Sequence, residues 1–130
     1  MPKVHPLVQK ARDLLPLVAA ASTENDDIRK LTRPVVEALI DGGFFTMLKA
    51  KSVGGMELKP SIFAQVTEAF ASADGSTGWV VCQSNGCSTT SAYLEPAIGE
   101  FEQNKPVSRQ ETASYGCAIF SVYYILPKAL

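Results

Sequence analysis

Apolar residues recur at spacings of three and four through the first segment, at Val4, Leu7, Val8, Ala11, Leu14, Leu15 and Val18. That spacing predicts one apolar stripe on a helix, with Lys10, Arg12 and Asp13 turned away from it. Pro16 interrupts the stripe, so the helix either kinks there or starts late, with Asp13 near its cap. The polar run Ser22-Thr23-Glu24-Asn25-Asp26-Asp27 reads as a turn, or as the solvated first turn of a short helix. Thr32 is placed to cap the next helix, with Pro34 in its first turn and Leu31 set to staple onto Val36. Val35, Val36, Leu39 and Ile40 give that helix its buried face. Gly42-Gly43 ends it by supplying a left-handed residue.

The helical period is lost over residues 44–59. Phe44, Phe45, Met47 and Leu48 are apolar without a stripe, and Gly54-Gly55 marks a tight turn. The stretch reads as an ordered connector packed on the helices, not as a strand pair. Pro60 opens a helix carrying Ile62, Phe63, Val66, Ala69, Phe70 and Ala73 at helical spacing. Asp74-Gly75 stops it, and Ser76 or Thr77 caps a further helix through Trp79, Val80 and Val81. Small residues follow (Ser84, Gly86, Ser88, Thr89, Thr90, Ser91 and Ala92), which admit close approach by another segment or a ligand. Pro96 opens a last short helix through Ile98 and Phe101. Nothing alternates with a period of two before the tail at 115–126, which is apolar on both faces. The predicted fold is all-α, an antiparallel bundle of about five to six helices with an irregular C-terminal tail.

Composition fits one such core. The 130 residues are 46% hydrophobic and 19% charged, which excludes general disorder. Twelve basic against thirteen acidic residues leave a net charge of -1, and no Lys/Arg cluster builds a basic face. Nucleic acid and anionic membranes are therefore not expected partners. The longest apolar stretch, CAIFSVYYIL at 117–126, is about half the roughly 20 residues that a membrane helix needs. The first residues, MPKVHPLVQKARD, contain no apolar signal core. Cys82, Cys87 and Cys117 are too few, and odd in number, for a disulfide framework. They read as free thiols of a cytoplasmic protein.

Candidate chemistry is sparse. His5, the single histidine, reads as a solvated terminal residue, far from any thiol or hydroxyl it could activate. Cys82-x4-Cys87 is not a zinc pattern. Neither a dinucleotide fingerprint nor a phosphate-loop string occurs. Asp26-Asp27 sits in a polar stretch where solvation keeps both carboxylates ordinary. On composition alone the lone tryptophan, Trp79, reads as core packing.

The order of motifs from residue 35 to 80 carries more. It runs VVEALIDGGFFTMLKAKSVGGMELKPSIFAQVTEAFASADGSTGWV: a helix ending in Gly43-Phe44, a loop closing on Gly54-Gly55, then a helix leading to Asp74-Gly75-Ser76-Thr77-Gly78-Trp79. This resembles the N-terminal domain of acyl-CoA dehydrogenases and of their relatives, the two-component flavin-dependent monooxygenases. With flanking helices the resemblance covers roughly residues 7–104. It implies a helical domain at 1–104 that packs over one side of a flavin site. A barrel and a C-terminal bundle, both beyond residue 130, would supply the catalytic base and most flavin contacts. No catalytic residue is therefore expected in this chain, and none for metal. Trp79, Gln83 and Ser84 are the residues expected on the wall of the substrate pocket.

The resemblance implies FAD, or reduced FMN or FAD in the monooxygenase branch, held only by the full-length protein. It implies an acyl-CoA or a small aromatic substrate, and the homo-oligomers usual in the family. Two departures stand out. Ala50 replaces a proline common before the basic residue of the loop. Cys87 stands where the hydroxylase branch often carries a histidine, which places the dehydrogenase branch first and the monooxygenase branch second. Residues 105–130 match no barrel strand and read as an atypical tail. They point to a truncated or frame-shifted reading of a longer gene, with a natural short protein as the competing explanation. The 130 residues alone are expected to be inactive and to retain no flavin. A third reading is a non-catalytic helical interaction module, in which Phe63, Phe70 and Trp79 form an orphaned apolar patch.

Overall fold

The computed structural model describes residues 4–89. They form four α-helices: α1 (Pro6–Ile28), α2 (Arg33–Gly42), α3 (Pro60–Ala73) and α4 (Gly75–Ser88). One short 3-10 turn, Lys51–Val53, interrupts the connector between α2 and α3. The described residues contain no strand, as the sequence pattern requires. The helix expected at 96–101 and the tail at 105–130 lie outside the described residues. The bundle packs α1 against α3 and α3 against α4, with α2 laid on α1. Its core joins Val8, Ala11 and Val18 of α1 to Val35, Leu39, Phe44, Met47, Val66, Phe70 and Val81. The Phe44 and Phe70 rings meet edge to face, their centroids 4.9 Å apart.

Three local expectations need correction. His5 is not a solvated end: it caps α1, its Nδ1 accepting the Leu7 N–H at 3.2 Å, with Pro6 opening the helix. Pro16 does not delay α1, which starts at Pro6 and runs through it for 23 residues. The ring lies on the exposed side of the helix, outside the packed stripe. The polar run at 22–27 is also helical. Ser22 and Asn25, three residues apart, turn inward together, while Glu24, Asp26 and Asp27 stay exposed. α1 ends at Arg29, which adopts the left-handed conformation (φ 54) and donates its N–H to the carbonyls of Asn25 and Asp26.

The start of α2 departs from expectation as well. Thr32 occupies the cap position, but its hydroxyl makes no capping bond and is buried without a partner. Its backbone N–H instead donates to Asn25 Oδ1 at 2.7 Å, tying the start of α2 to the end of α1. The end of α2 is as expected, with Gly43 at φ 77. The connector is irregular but closely bonded. Met56 N–H donates to the Thr46 carbonyl at 2.9 Å and Leu58 N–H to that of Met47 at 2.8 Å. A side chain at Gly55 would collide with the Lys49 backbone, so the turn needs glycine there.

Candidate functional site

α3 and α4 are joined by one residue, Asp74, whose extended backbone (φ -156, ψ 116) turns the chain between them. Its N–H closes α3 on the Phe70 carbonyl at 2.9 Å, and its Oδ2 accepts the Thr77 N–H at 2.8 Å to open α4. Asp74 is thus the α4 cap, not Ser76 or Thr77. The pattern Asp-x-x-Thr before an apolar run carried that signal, and the neighbouring hydroxyls obscured it. Asp74 is 5% exposed, yet its carboxylate is fully engaged. Oδ2 also accepts Thr77 Oγ1 at 2.5 Å and Asn25 Nδ2 at 3.2 Å, and Oδ1 accepts Ser22 Oγ at 3.1 Å. Burial pushes this carboxyl up, but the bonds from Thr77, Ser22 and Asn25 outweigh it and hold it below its ordinary value of 3.8.

The inner face of α4 is Thr77, Gly78, Val81, Ser84, Asn85 and Ser88. Gly78 lets α4 approach α3 closely, because a Cβ there would stand 2.6 Å from the Cβ of Ala71. Asn85 fastens the connector. Its Nδ2 donates to the Phe44 carbonyl at 2.7 Å and to that of Val81 at 2.9 Å, and its Oδ1 accepts the Leu48 N–H at 3.2 Å. Sequence reading gave no role to Asn85, Ser22 or Asn25, because an inward polar residue looks like a solvated one until its partner is known.

The outer face carries the candidate chemistry. Trp79 is 65% exposed, which corrects the core-packing reading. Gln83, one turn on, shares that exposed face. Ser84 does not: it points inward at 1% exposure, its Oγ buried without a partner. The structure therefore brings Trp79 and Gln83 together and separates Ser84 from them. α3 and α4 themselves are almost free of charge. From residue 60 to 89 the chain has two ionisable carboxylates, Glu68 and the buried Asp74, and no Lys, Arg or His. Among the described residues no cluster of His, Cys, Asp or Glu could hold a metal, and no helix is long and apolar enough to cross a membrane. Cys82 and Cys87 are both half-buried. An aromatic ring beside an amide on an uncharged face suits contact with a neutral ring system, and provides no group for proton transfer.

Comparison with known proteins gives the site its context. No protein-family model matches the chain. Over 68 residues it is 41% identical to a protein of Mycobacterium tuberculosis described as the oxygenase subunit HsaA of a flavin-dependent monooxygenase, covering 52% of this chain and 17% of the relative. The HsaA subunit of Rhodococcus jostii is 36% identical over 73 residues (56% and 19%). The indole-3-acetate monooxygenase of Pseudomonas putida is 32% identical over 83 residues (64% and 21%). In three dimensions the chain is similar to the crystal structure of 3-HSA hydroxylase from Rhodococcus sp. RHA1, at a TM-score of 0.71 and 28% identity, over 78% of this chain and 26% of that one. The chain thus spans about a fifth of the length of the curated relatives it matches.

Proposed function

We propose that the chain is the N-terminal helical part of the oxygenase subunit of a flavin-dependent monooxygenase. In this reading the outer face of α4 is one wall of the pocket for a small aromatic substrate. The observation that carries it is the identity, 41% over 68 residues, to a monooxygenase oxygenase subunit, together with the fold likeness to a hydroxylase. The resemblance read from the sequence put the acyl-CoA dehydrogenase branch first; these relatives reverse that order, while the wider flavoprotein oxidoreductase kinship stands. Cys87 in place of a histidine weighs less than similarity along half of the chain.

Trp79 offers a flat aromatic surface and Gln83 an amide that can donate to, or accept from, a ring substituent. The uncharged wall excludes no neutral ring and leaves bound water weakly held, so a ring displaces that water readily. A bound reduced flavin supplies the electrons with which oxygen is activated for hydroxylation. The α4 face suits a ring but contains no cation for a flavin phosphate, so the phosphate site, and with it the choice between FAD and FMN, lies off this face.

The test uses a full-length subunit containing this segment, supplied with reduced flavin. Oxygen-dependent hydroxylation of an aromatic substrate, with Trp79→Ala raising KM at least tenfold, is the expected result. Anaerobic bleaching of the flavin by an acyl-CoA would restore the dehydrogenase branch. The interaction-module reading loses one of its three aromatics, since Phe70 is fully buried in the core.

A further inference from the structure

A neutral cap would start α4 as well as Asp74 does: asparagine and serine serve that position equally. The carboxylate is therefore unexplained by α4 alone. What it matches is the donor set around it. Four donors converge on its two oxygens, Ser22 Oγ and Asn25 Nδ2 from α1 and the N–H and Oγ1 of Thr77 from α4. An ionised carboxylate is an acceptor only, and this arrangement uses it as such; an asparagine would turn a donor toward one of the four. Asn25 extends the joint by accepting the Thr32 N–H at the start of α2. One buried residue thus closes α3 with its N–H, while its carboxylate opens α4, grips α1 and, through Asn25, reaches α2. Outside it, Ser76 Oγ meets Asp26 Oδ1 at 3.4 Å, a second and longer contact between the same two helices.

We infer that Asp74 is a positioning residue: by binding Ser22 and Asn25 of α1, it fixes where the start of α4, and with it the Trp79–Gln83 face, stands on the bundle. This inference rests on the reading of that face as a pocket wall, but its physical content does not. Charged, buried and fully paired, the group holds one geometry, because any shift of α4 against α1 strands a desolvated donor or acceptor. Trp79 follows Asp74 by little more than one turn, so a loosened joint reaches it directly.

The experiment uses the 130-residue chain and breaks the joint from the α1 side, leaving the α4 cap intact. Ser22→Ala removes the bond to Oδ1, and Asn25→Ala removes the bond to Oδ2. Amide hydrogen exchange is read at residues 77–80, together with the time-resolved anisotropy of Trp79, the sole tryptophan. The expected result is exchange at least tenfold faster at 77–80 in Asn25→Ala and at least threefold faster in Ser22→Ala. Trp79 should show a larger fast depolarisation, with helical circular dichroism unchanged. Ser22→Thr, which keeps the hydroxyl, should restore the wild-type values. If both alanine variants exchange and depolarise like wild type while Asp74→Ala alone does not, Asp74 is only a helix cap and the inference falls. That outcome would leave the monooxygenase reading standing, since the assay involves neither flavin nor substrate. Should Asn25→Ala fail to fold, Ser22→Ala and its threonine rescue decide the matter.

Discussion

Two glycines in the same helix allow packing to be separated from helix propensity. Gly78 and Gly86 both lie within α4, and neither is held at positive φ, so alanine is conformationally acceptable at each. Replacing a helical glycine by alanine contributes up to about 1 kcal/mol in stability through backbone entropy. Gly86 has nothing within 4 Å of a built Cβ, so Gly86→Ala should realise that gain, about 1 kcal/mol. At Gly78 the new methyl would lie 2.6 Å from Ala71 Cβ and 2.7 Å from Ala71 Cα. An ordinary contact needs about 1 Å more, and Ala71 has no flexible side chain to move, so the α3–α4 pair itself must part. Overpacking of this kind costs about 1–3 kcal/mol. Set against the propensity gain, Gly78→Ala should be destabilising by roughly 0–2 kcal/mol and should fall about 1–3 kcal/mol below Gly86→Ala, the whole overpacking cost. Urea denaturation followed by circular dichroism measures both, and equal m-values would show that the unfolded states are comparable. If Gly78→Ala proves as stable as Gly86→Ala, the close α3–α4 approach is wrong and the account of α4 packing fails with it.

Further expectations follow from other sites. Because the folded-state value of Asp74 lies below its ordinary 3.8, the stability it contributes is present above that value and lost as the pH falls through the lower folded one. Urea midpoints of wild type should thus decline more steeply below about pH 4 than those of Asp74→Asn, and parallel declines would remove Asp74 from the cause. Arg29→Gly should raise stability by about 0.5–1 kcal/mol by relieving a left-handed residue at the α1 end, unless thermal melts show no upward shift. Trp79→Ala should change the stability of the 130-residue chain by less than about 0.5 kcal/mol, since most of the ring already lies in water, and a larger loss in urea titrations would return Trp79 to the core. The chain alone should be colourless after gel filtration with FAD or FMN; stoichiometric yellow flavin in the protein peak would mean that the phosphate site is here after all.

Much of the fold was legible because it rests on apolar spacing. Val8, Ala11 and Val18, Val35 and Leu39, and Val66 and Phe70 all fall where a period of 3.6 puts them, and Gly43 stops α2 where it should. What could not be read rests on polar residues whose partners are far away in sequence. Ser22 and Asn25 meet Asp74 across 52 and 49 positions, so a local window sees only a hydrophilic run, a turn or the solvated first turn of a short helix. The late start offered at Pro16 fails for the opposite reason: the proline's usual penalty is a local rule, and here the helix around it is held by packing elsewhere. At the site, the resemblance names Trp79, Gln83 and Ser84 together without telling outside from inside; the structure leaves Trp79 and Gln83 exposed on one face of α4. Ser84 was grouped with them although it lies five residues past Trp79 and turns into the bundle. The resemblance locates the family neighbourhood from glycine and aromatic landmarks, and it ranks the two branches on one position, Cys87, whereas the relatives that the chain matches along half its length are monooxygenases.

The principal partner of α1 is α3, with the whole of α2 and the connector between them in the chain. During synthesis, therefore, the stripe of Leu7, Val8, Ala11 and Val18 emerges well before the surface that will cover it. At about 5–20 residues per second the interval lasts a few seconds, far longer than a helix takes to form. Over that interval α1 is an amphipathic helix with a bare apolar side, and α2 covers only part of it. The charges clustered on its other side, among them Lys10, Arg12, Asp13, Glu24, Asp26 and Asp27, keep the nascent segment in water while it waits. Removing them would leave the finished bundle nearly as stable, yet slow translation would then carry a penalty in aggregation that no measurement on the folded protein reveals.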